Sequence, residues 1–224
     1  VKSWFGSFFY TYSILQNNIL YSISINQFGA SELQTFRIDN ERKNHNLNFK
    51  LSKYISEIKS TFTLNSSFSK STFFQLVNNN LNEISNNNSV FELKINSEVT
   101  DKFEVELKSN VVFSKNKIQE TENKLIANQL HSFNLNFYPK ENHYLALKSE
   151  FLINNSFTTN VKSEFLDFLY RYTWKKKNID FEFQLNNIFN TESYTTIAVS
   201  DFSYTETNFQ LRPRQVFFKM RFSL

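Results

Sequence analysis

Gln215–Leu224 reads QVFFKMRFSL and alternates without a break to the last residue. Val216, Phe218, Met220, Phe222 and Leu224 share one face, and Phe217, Lys219, Arg221 and Ser223 the other. A period of two belongs to a β-strand with one apolar face. A last strand this apolar suits the wall of a cylinder that meets lipid at every second residue. Upstream, Asn178–Asn190 (NIDFEFQLNNIFN) alternates in the same way, and a polar loop over Asn190–Ser203 separates the two. The pair is expected to form a hairpin at the end of the chain.

The alternation recurs back toward the N-terminus. Lys2–Ser13, Ile19–Ile25, Leu47–Leu51, Ile58–Phe68, Phe91–Asn96, Phe103–Val111, Phe133–Phe137, Leu145–Ile153 and Leu166–Tyr172 all carry it. With the closing pair this predicts about eleven strands in a meander. Short turns are expected near Leu15–Asn17, Lys53–Ser56, Val99–Lys102, Pro139–Asn142 and Trp174–Asn178. Longer loops are expected over Gly29–Asn44, Gln75–Asn88, Lys115–Asn128, Asn154–Asn160 and Asn190–Ser203. Short turns on one side and long loops on the other are the asymmetry of outer-membrane barrels. Trp4, Tyr12, Tyr138, Tyr144, Tyr172 and Trp174 near strand ends fit interfacial girdles.

Composition agrees with strands that are wet on one face. The 224 residues are 40% hydrophobic and 17% aromatic, with 27 Phe, yet mean hydropathy is −0.45. Such aromatic content argues against disorder. No run approaches the roughly 18–20 apolar residues of a membrane-spanning helix, but barrel strands do not need one. Without cysteine there are no disulfides and no thiolate chemistry. A net charge of +4, with Lys and Glu interspersed, gives no nucleic-acid footprint.

LNNIFN at Leu185–Asn190 and LRPRQVFFKMRFSL at Leu211–Leu224 resemble the closing hairpin of TonB-dependent outer-membrane receptors, particularly those of the Bacteroidota. In that family Asn-hydrophobic-Phe-Asn/Asp ends the penultimate strand, Pro-Arg opens the last one, and an aromatic residue closes it. Here Leu224 stands at that last position, with Phe222 two residues earlier. The resemblance implies an all-β, antiparallel up-and-down transmembrane β-barrel of twenty-two strands behind an N-terminal plug. Residues 1–224 would then be its C-terminal part, with the plug and the first barrel half outside this chain. A start at Val1, without Met or a leader, fits a mature fragment or part of a longer polypeptide.

No catalytic pattern appears. GxSxG, HExxH, P-loop and dinucleotide fingerprints are absent, and two glycines can hardly build a phosphate cradle. His45, His131 and His143 are scattered and read as ordinary polar positions, so neither an enzyme, a metal site nor a cofactor is expected. Glu104 and Glu106 share their faces with Lys94 and Lys108, as in a mixed-charge lumen wall. Lys148, Glu150, Glu164, Arg171, Asp180, Glu182, Lys219 and Arg221 are expected to face the lumen. Tyr194, Phe202 and Tyr204 are the substrate-contact candidates, because loops and aromatic rings commonly meet ligand first. Arg212 and Arg214 flank Pro213 and suit lipopolysaccharide phosphates. The resemblance makes Phe218, Met220, Phe222 and Leu224 a C-terminal insertion signal for the outer-membrane assembly machinery.

The function expected from the resemblance is TonB-dependent nutrient uptake across the bacterial outer membrane. Its partners would be outer-membrane lipid and lipopolysaccharide, the plug and remaining barrel half, the TonB complex through an upstream segment, and a surface lipoprotein. A passive porin-like channel and a soluble all-β binding module are the alternatives. A plug with a TonB-box segment would separate the first from the second; burial of the Phe faces against another sheet would mark the third.

Overall fold

The computed structural model describes residues 4–17, 19–25, 27–28, 31–78, 80–119, 121–122, 125–155, 160–199 and 204–222. Its strands are β1 (Trp4–Asn17), β2 (Leu20–Ile25), β3 (Ser31–Phe36), β4 (Asn40–Ile55), β5 (Ser60–Val77), β6 (Asn80–Thr100), β7 (Phe103–Ile118) and β8 (Thr121–Glu122). They continue with β9 (Ile126–Phe137), β10 (His143–Asn155), β11 (Asn160–Trp174), β12 (Ile179–Asn186), β13 (Ser193–Val199), β14 (Tyr204–Gln210) and β15 (Gln215–Phe222). The architecture is all-β. Ten strands run side by side in chain order, β1-β4-β5-β6-β7-β9-β10-β11-β12-β15, each antiparallel to the next.

The remaining strands are excursions from that sheet. Hairpin β2–β3 lies between β1 and β4 in sequence and touches β5 through a two-residue parallel ladder, Ser22 with Leu76 and Ile23 with Val77. Hairpin β13–β14 forms its own two-stranded sheet between β12 and β15. The sheet is not closed on itself: among the described residues β1 and β15 are each paired on one side only.

Several expected boundaries change. Leu20–Ile25 is a strand of the same sheet but lies off the side-by-side path, paired with β3 and, over two residues, with β5, so ten strands run in sequence where eleven were expected. No turn falls at Leu15–Asn17, because β1 continues to Asn17 opposite Asn40. Gln75–Asn88 is not a loop. Its asparagines extend β5 and β6, paired out to Val77 with Asn80. Likewise most of Lys115–Asn128 is strand, and β4 begins at Asn40 inside the expected first loop. In each case the ladder continues past the apolar positions, since its hydrogen bonds come from backbone and tolerate Asn and Ser side chains.

The turn/loop asymmetry survives only in part, because β5 and β6 are joined at the expected loop end by the short step from Val77 to Asn80. Ser56–Lys59, Asp101–Lys102, Tyr138–Asn142 and Lys175–Asn178 connect one end of the sheet, and the hairpin excursions occupy the other. The short turns are also tied to one another. Lys59 Nζ meets Asp101 at 3.0 Å, Lys102 Nζ donates to the Pro139 carbonyl at 3.4 Å, and Lys175 Nζ meets Glu141 at 2.8 Å. The Asp101 carboxylate raises the Lys59 pKa, and the Lys175 ammonium lowers that of Glu141. Both bridges are exposed, so they align turns more than they stabilise the sheet.

Lys59 itself closes its 3-10 turn at φ 45°, where a Cβ crowds the backbone. Lys59→Gly is therefore expected to raise the urea midpoint slightly, the exposed bridge weighing little against the relieved strain. A lower midpoint in the variant would show that the bridge outweighs the turn.

A single sheet has two faces, and here they differ in kind. On one, Phe49, Leu64, Leu93, Leu107, Phe133 and Leu147 belong to an apolar band that runs from β4 across to β10. The band goes on through Phe168, Phe183 and Phe218 to β15. On β7 it extends from Phe103 to Phe113, which at ~3.3 Å per residue and ~45° tilt spans about 25 Å. Much of it is open: Phe8, Leu93, Val216 and Phe218 are all exposed. The four buried apolar side chains among the described residues, Leu20, Ile84, Ile126 and Ala127, all lie toward the loop end. The exposed band far exceeds the scattered apolar surface of a soluble monomer.

Candidate functional site

The opposite face carries the ionisable groups, and they are linked laterally. Asn65 on β5 donates to Glu92 on β6 at 2.9 Å, and Lys108 on β7 meets the other Glu92 oxygen at 2.9 Å. One ladder step away Lys94 on β6 meets Glu106 on β7 at 2.6 Å, and Asn134 on β9 donates to the same carboxylate at 3.1 Å. Asn136 on β9 donates to Glu104 and accepts from Tyr144 Oη on β10 at 2.8 Å. The Arg171 guanidinium lies 5.6 Å from the centre of the Tyr144 ring, and its Nε donates to Glu182 at 2.9 Å. Gln184 continues from Glu182, and Lys219 on β15 donates to Gln184 at 3.0 Å.

The network follows from parity. Alternation puts every second residue on this face, and the register sets Lys opposite or diagonal to Glu, where such pairs reach each other. Lys94 stands directly opposite Lys108 across β6–β7, and the diagonal carboxylates of Glu92 and Glu106 offset the pair, so both signs are interspersed on the face. It can hydrate an interior and hydrogen-bond a polar domain or solute.

Most of the expected lumen group shares this face. Lys148 bridges Glu150 at 2.7 Å; Asp180 accepts from Thr173 at 2.7 Å and stands opposite Arg221; Arg171, Glu182 and Lys219 belong to the network above. Glu164 is a correction. It stands opposite Phe151, in phase with Leu166 and Phe168, and so falls on the apolar face. Strict alternation from Leu166 already points it there. Asp167, overlooked in the sequence, takes the position on the polar face, opposite Lys148.

Asp167 also explains part of the LNNIFN motif. Its carboxylate accepts the Asn187 backbone N–H at 2.7 Å, fixing the exit from β12. Asn187 (φ 54°) then accepts from Thr191 N through its side-chain oxygen and donates to the carbonyls of Thr191 and Arg212. Asn190 (φ 57°) accepts from Arg214 N, and Arg214 Nε donates to the Ile188 carbonyl. The two asparagines thus combine left-handed backbone with side-chain capping, which Asn does better than other L-residues. Arg214 holds this turn, a structural duty beside the phosphate-anchoring one expected for it.

Asn187→Ala removes three side-chain hydrogen bonds and places alanine at positive φ. It is expected to cost about 2 kcal/mol in urea unfolding. Asn187→Gly, which keeps the backbone conformation, should recover part of that loss; equal losses would mean the left-handed conformation contributes nothing.

Of the substrate-contact candidates, Tyr194 is not in an irregular loop. It lies on β13 and stacks on Phe209 of β14, ring centres 4.9 Å apart, with Phe165 edge-on at 6.4 Å. Asn154 donates to the Thr195 carbonyl and Thr191 Oγ1 to the Glu164 carbonyl, which dock the hairpin on β10 and β11. Tyr204 opens β14, and Phe202 lies outside the described residues. Phe218, Met220 and Phe222 share the apolar face of β15; Leu224 too lies outside the described residues.

The histidines are far apart and locally satisfied: His45 with Tyr10 at 2.9 Å, His131 with Ser109 at 2.9 Å and His143 with Tyr170 at 2.7 Å. Among the described residues no three His, Asp or Glu stand together as metal ligands would. No protein-family model, curated protein or solved structure matches this chain.

Proposed function

We propose that the chain is barrel wall of a TonB-dependent outer-membrane uptake receptor, with its apolar face in lipid and its charged face lining the lumen. One observation carries the membrane part of this reading. Ten antiparallel strands in chain order present a continuous apolar band, exposed or half-buried, on one face and a hydrogen-bonded charged network on the other. Short turns at one end and docked hairpins at the other support an orientation with the turns in the periplasm and β13–β14 outside. The receptor part rests on the closing hairpin, where Asn187, Asn190 and Arg214 hold the family-like motif in a capped turn.

Two open edges are costly in lipid, where each unpaired backbone group carries a penalty of several kcal/mol. The reading therefore requires further strands next to β1 and β15, supplied by another segment or chain. The lumen face would meet the plug, and the hairpin at Tyr194 and Phe209 would be among the first surfaces a nutrient touches. The energised step would belong to the TonB complex.

Two measurements test the proposal. The native polypeptide, extracted from outer membranes, is expected to shift in electrophoretic mobility on heating, as a folded barrel does, and to carry a plug with a TonB-box segment. Cysteines at Thr196 and Lys176 report orientation: an impermeant thiol reagent should label the first in intact cells and the second only after permeabilisation. A barrel without a plug would favour the passive channel. Recovery of the folded protein in the soluble fraction without detergent would end the membrane reading.

A further inference from the structure

Phe5 and Phe9 of β1 interrupt the polar face. They stand in phase with Ser7, opposite Ser52 and Asn48 of β4, and are 59% and 65% exposed. Beside Phe9 the face dips into a recess of about 280 Å³. The dip follows from the row Phe9–Asn48–Ser67–Val90 across β1, β4, β5 and β6, where a short serine lies between an aromatic ring and a branched side chain. Ser7, in the next row, keeps the floor low on the β1 side.

That next row reads Ser7–Lys50–Asn65–Glu92–Asn110. Of the lysines on the polar face, Lys94, Lys108 and Lys148 each meet a carboxylate, at 2.6, 2.9 and 2.7 Å, and Lys219 meets the Gln184 amide. Lys50 has neither kind of partner among the described residues, because its ladder neighbours are Ser7 and Asn65. Glu92 also lines the recess, but Lys108 and Asn65 occupy its carboxylate, each at 2.9 Å. It stands two strands from Lys50, about 10 Å away. The β4 side of the recess is therefore left with an uncompensated positive charge. The Asn48 and Asn110 side chains, which line it too, hydrogen-bond no other described residue.

We infer that this recess binds an organic acid with an apolar body, its carboxylate on the Lys50 ammonium and its apolar part on the Phe9 ring. The Asn48 and Asn110 amides take its remaining polar groups. The inference rests on the uptake reading above, and it puts a solute contact on the wall itself, apart from the hairpin at Tyr194 and Phe209. A free ammonium beside an exposed ring complements a molecule that carries both an anion and an apolar group, and neither feature alone would specify one. The volume suits one small acid, or one end of a longer solute.

The test uses the full polypeptide in neutral detergent. N-acetylphenylalanine, its neutral amide and N-acetylglycine are titrated by saturation-transfer NMR. Wild type is expected to bind the first about fivefold more tightly than either control, since the amide lacks the charge and the glycine compound lacks the ring. Lys50→Gln should lower its affinity to that of the amide, and Lys50→Arg should preserve it. Phe9→Ala should bring it down to the level of N-acetylglycine, and Phe9→Tyr should retain it. Equal binding by wild type and Lys50→Gln overturns the inference, as does a loss in Lys50→Arg as large as that in Lys50→Gln. A wild type that binds none of the three also overturns it, the recess then being filled by the plug or the neighbouring strand. These outcomes concern the recess alone. The heat-dependent mobility of the same samples reports the barrel, and its absence would sink the membrane reading instead.

Discussion

Leu93→Arg is expected to destabilise the protein in lipid vesicles by about 2–4 kcal/mol, whereas Val90→Arg, three residues away on the same strand, should cost little. Leu93 is central to the apolar run Phe91–Leu93–Ile95 on β6 and is 44% exposed, so in lipid it faces acyl chains. An arginine near the bilayer midplane carries a penalty of that size, and on a lumen face almost none. Val90 points the other way, on the face of Glu92 and Lys108, where a guanidinium would find carboxylate and water. Urea titration of both variants in vesicles measures the difference. Were the band open to water, an arginine at half-exposed Leu93 would be nearly neutral. Were it covered by a second protein sheet, the variant would lose stability in detergent-free buffer. Only the lipid reading predicts a loss confined to the bilayer.

Arg171→Ala should cost roughly 2–3 kcal/mol, and adding Glu182→Gln to the same chain should return much of it. Glu182 is 5% exposed and depends on Arg171 Nε at 2.9 Å, with Gln184 at 3.4 Å as its second donor. Removing the guanidinium leaves a buried carboxylate with one long hydrogen bond, and an uncompensated charge costs far more than the intact pair contributes. The neutral amide that Glu182→Gln introduces no longer needs a counter-charge. A double-mutant cycle in the same vesicles reads the coupling. If Arg171→Ala and Glu182→Gln simply add, the pair is an ordinary solvated bridge and the lateral network does not reach β12.

Much of the architecture is legible in the sequence because its code is local. Ile179, Phe181, Phe183 and Leu185 against Asp180, Glu182 and Gln184 declare a strand with two unlike faces, and the pleat does the rest. Pro139–Asn142 and Trp174–Asn178 likewise announce turns in their own residues. Where the apolar alternation stops, the same reading fails. Asn80–Asn88 looks like loop, yet it is strand, because its ladder is backbone hydrogen bonding to β5 and β7, which no side-chain pattern advertises.

What the sequence by itself determined is the class of element and which residues share a face within each strand. The tertiary structure decided everything that depends on register between strands. Only pairing across β1, β4, β5 and β6 brings Phe9, Asn48, Ser67 and Val90, far apart in the chain, into one row. Only pairing of β11 with β12 sets Arg171 opposite Glu182. It also took Ile19–Ile25 off the side-by-side path, as half of a hairpin that meets β5 over two residues. The reason is physical: alternation is a property of one strand's backbone, while register is chosen by the summed fit of neighbouring strands.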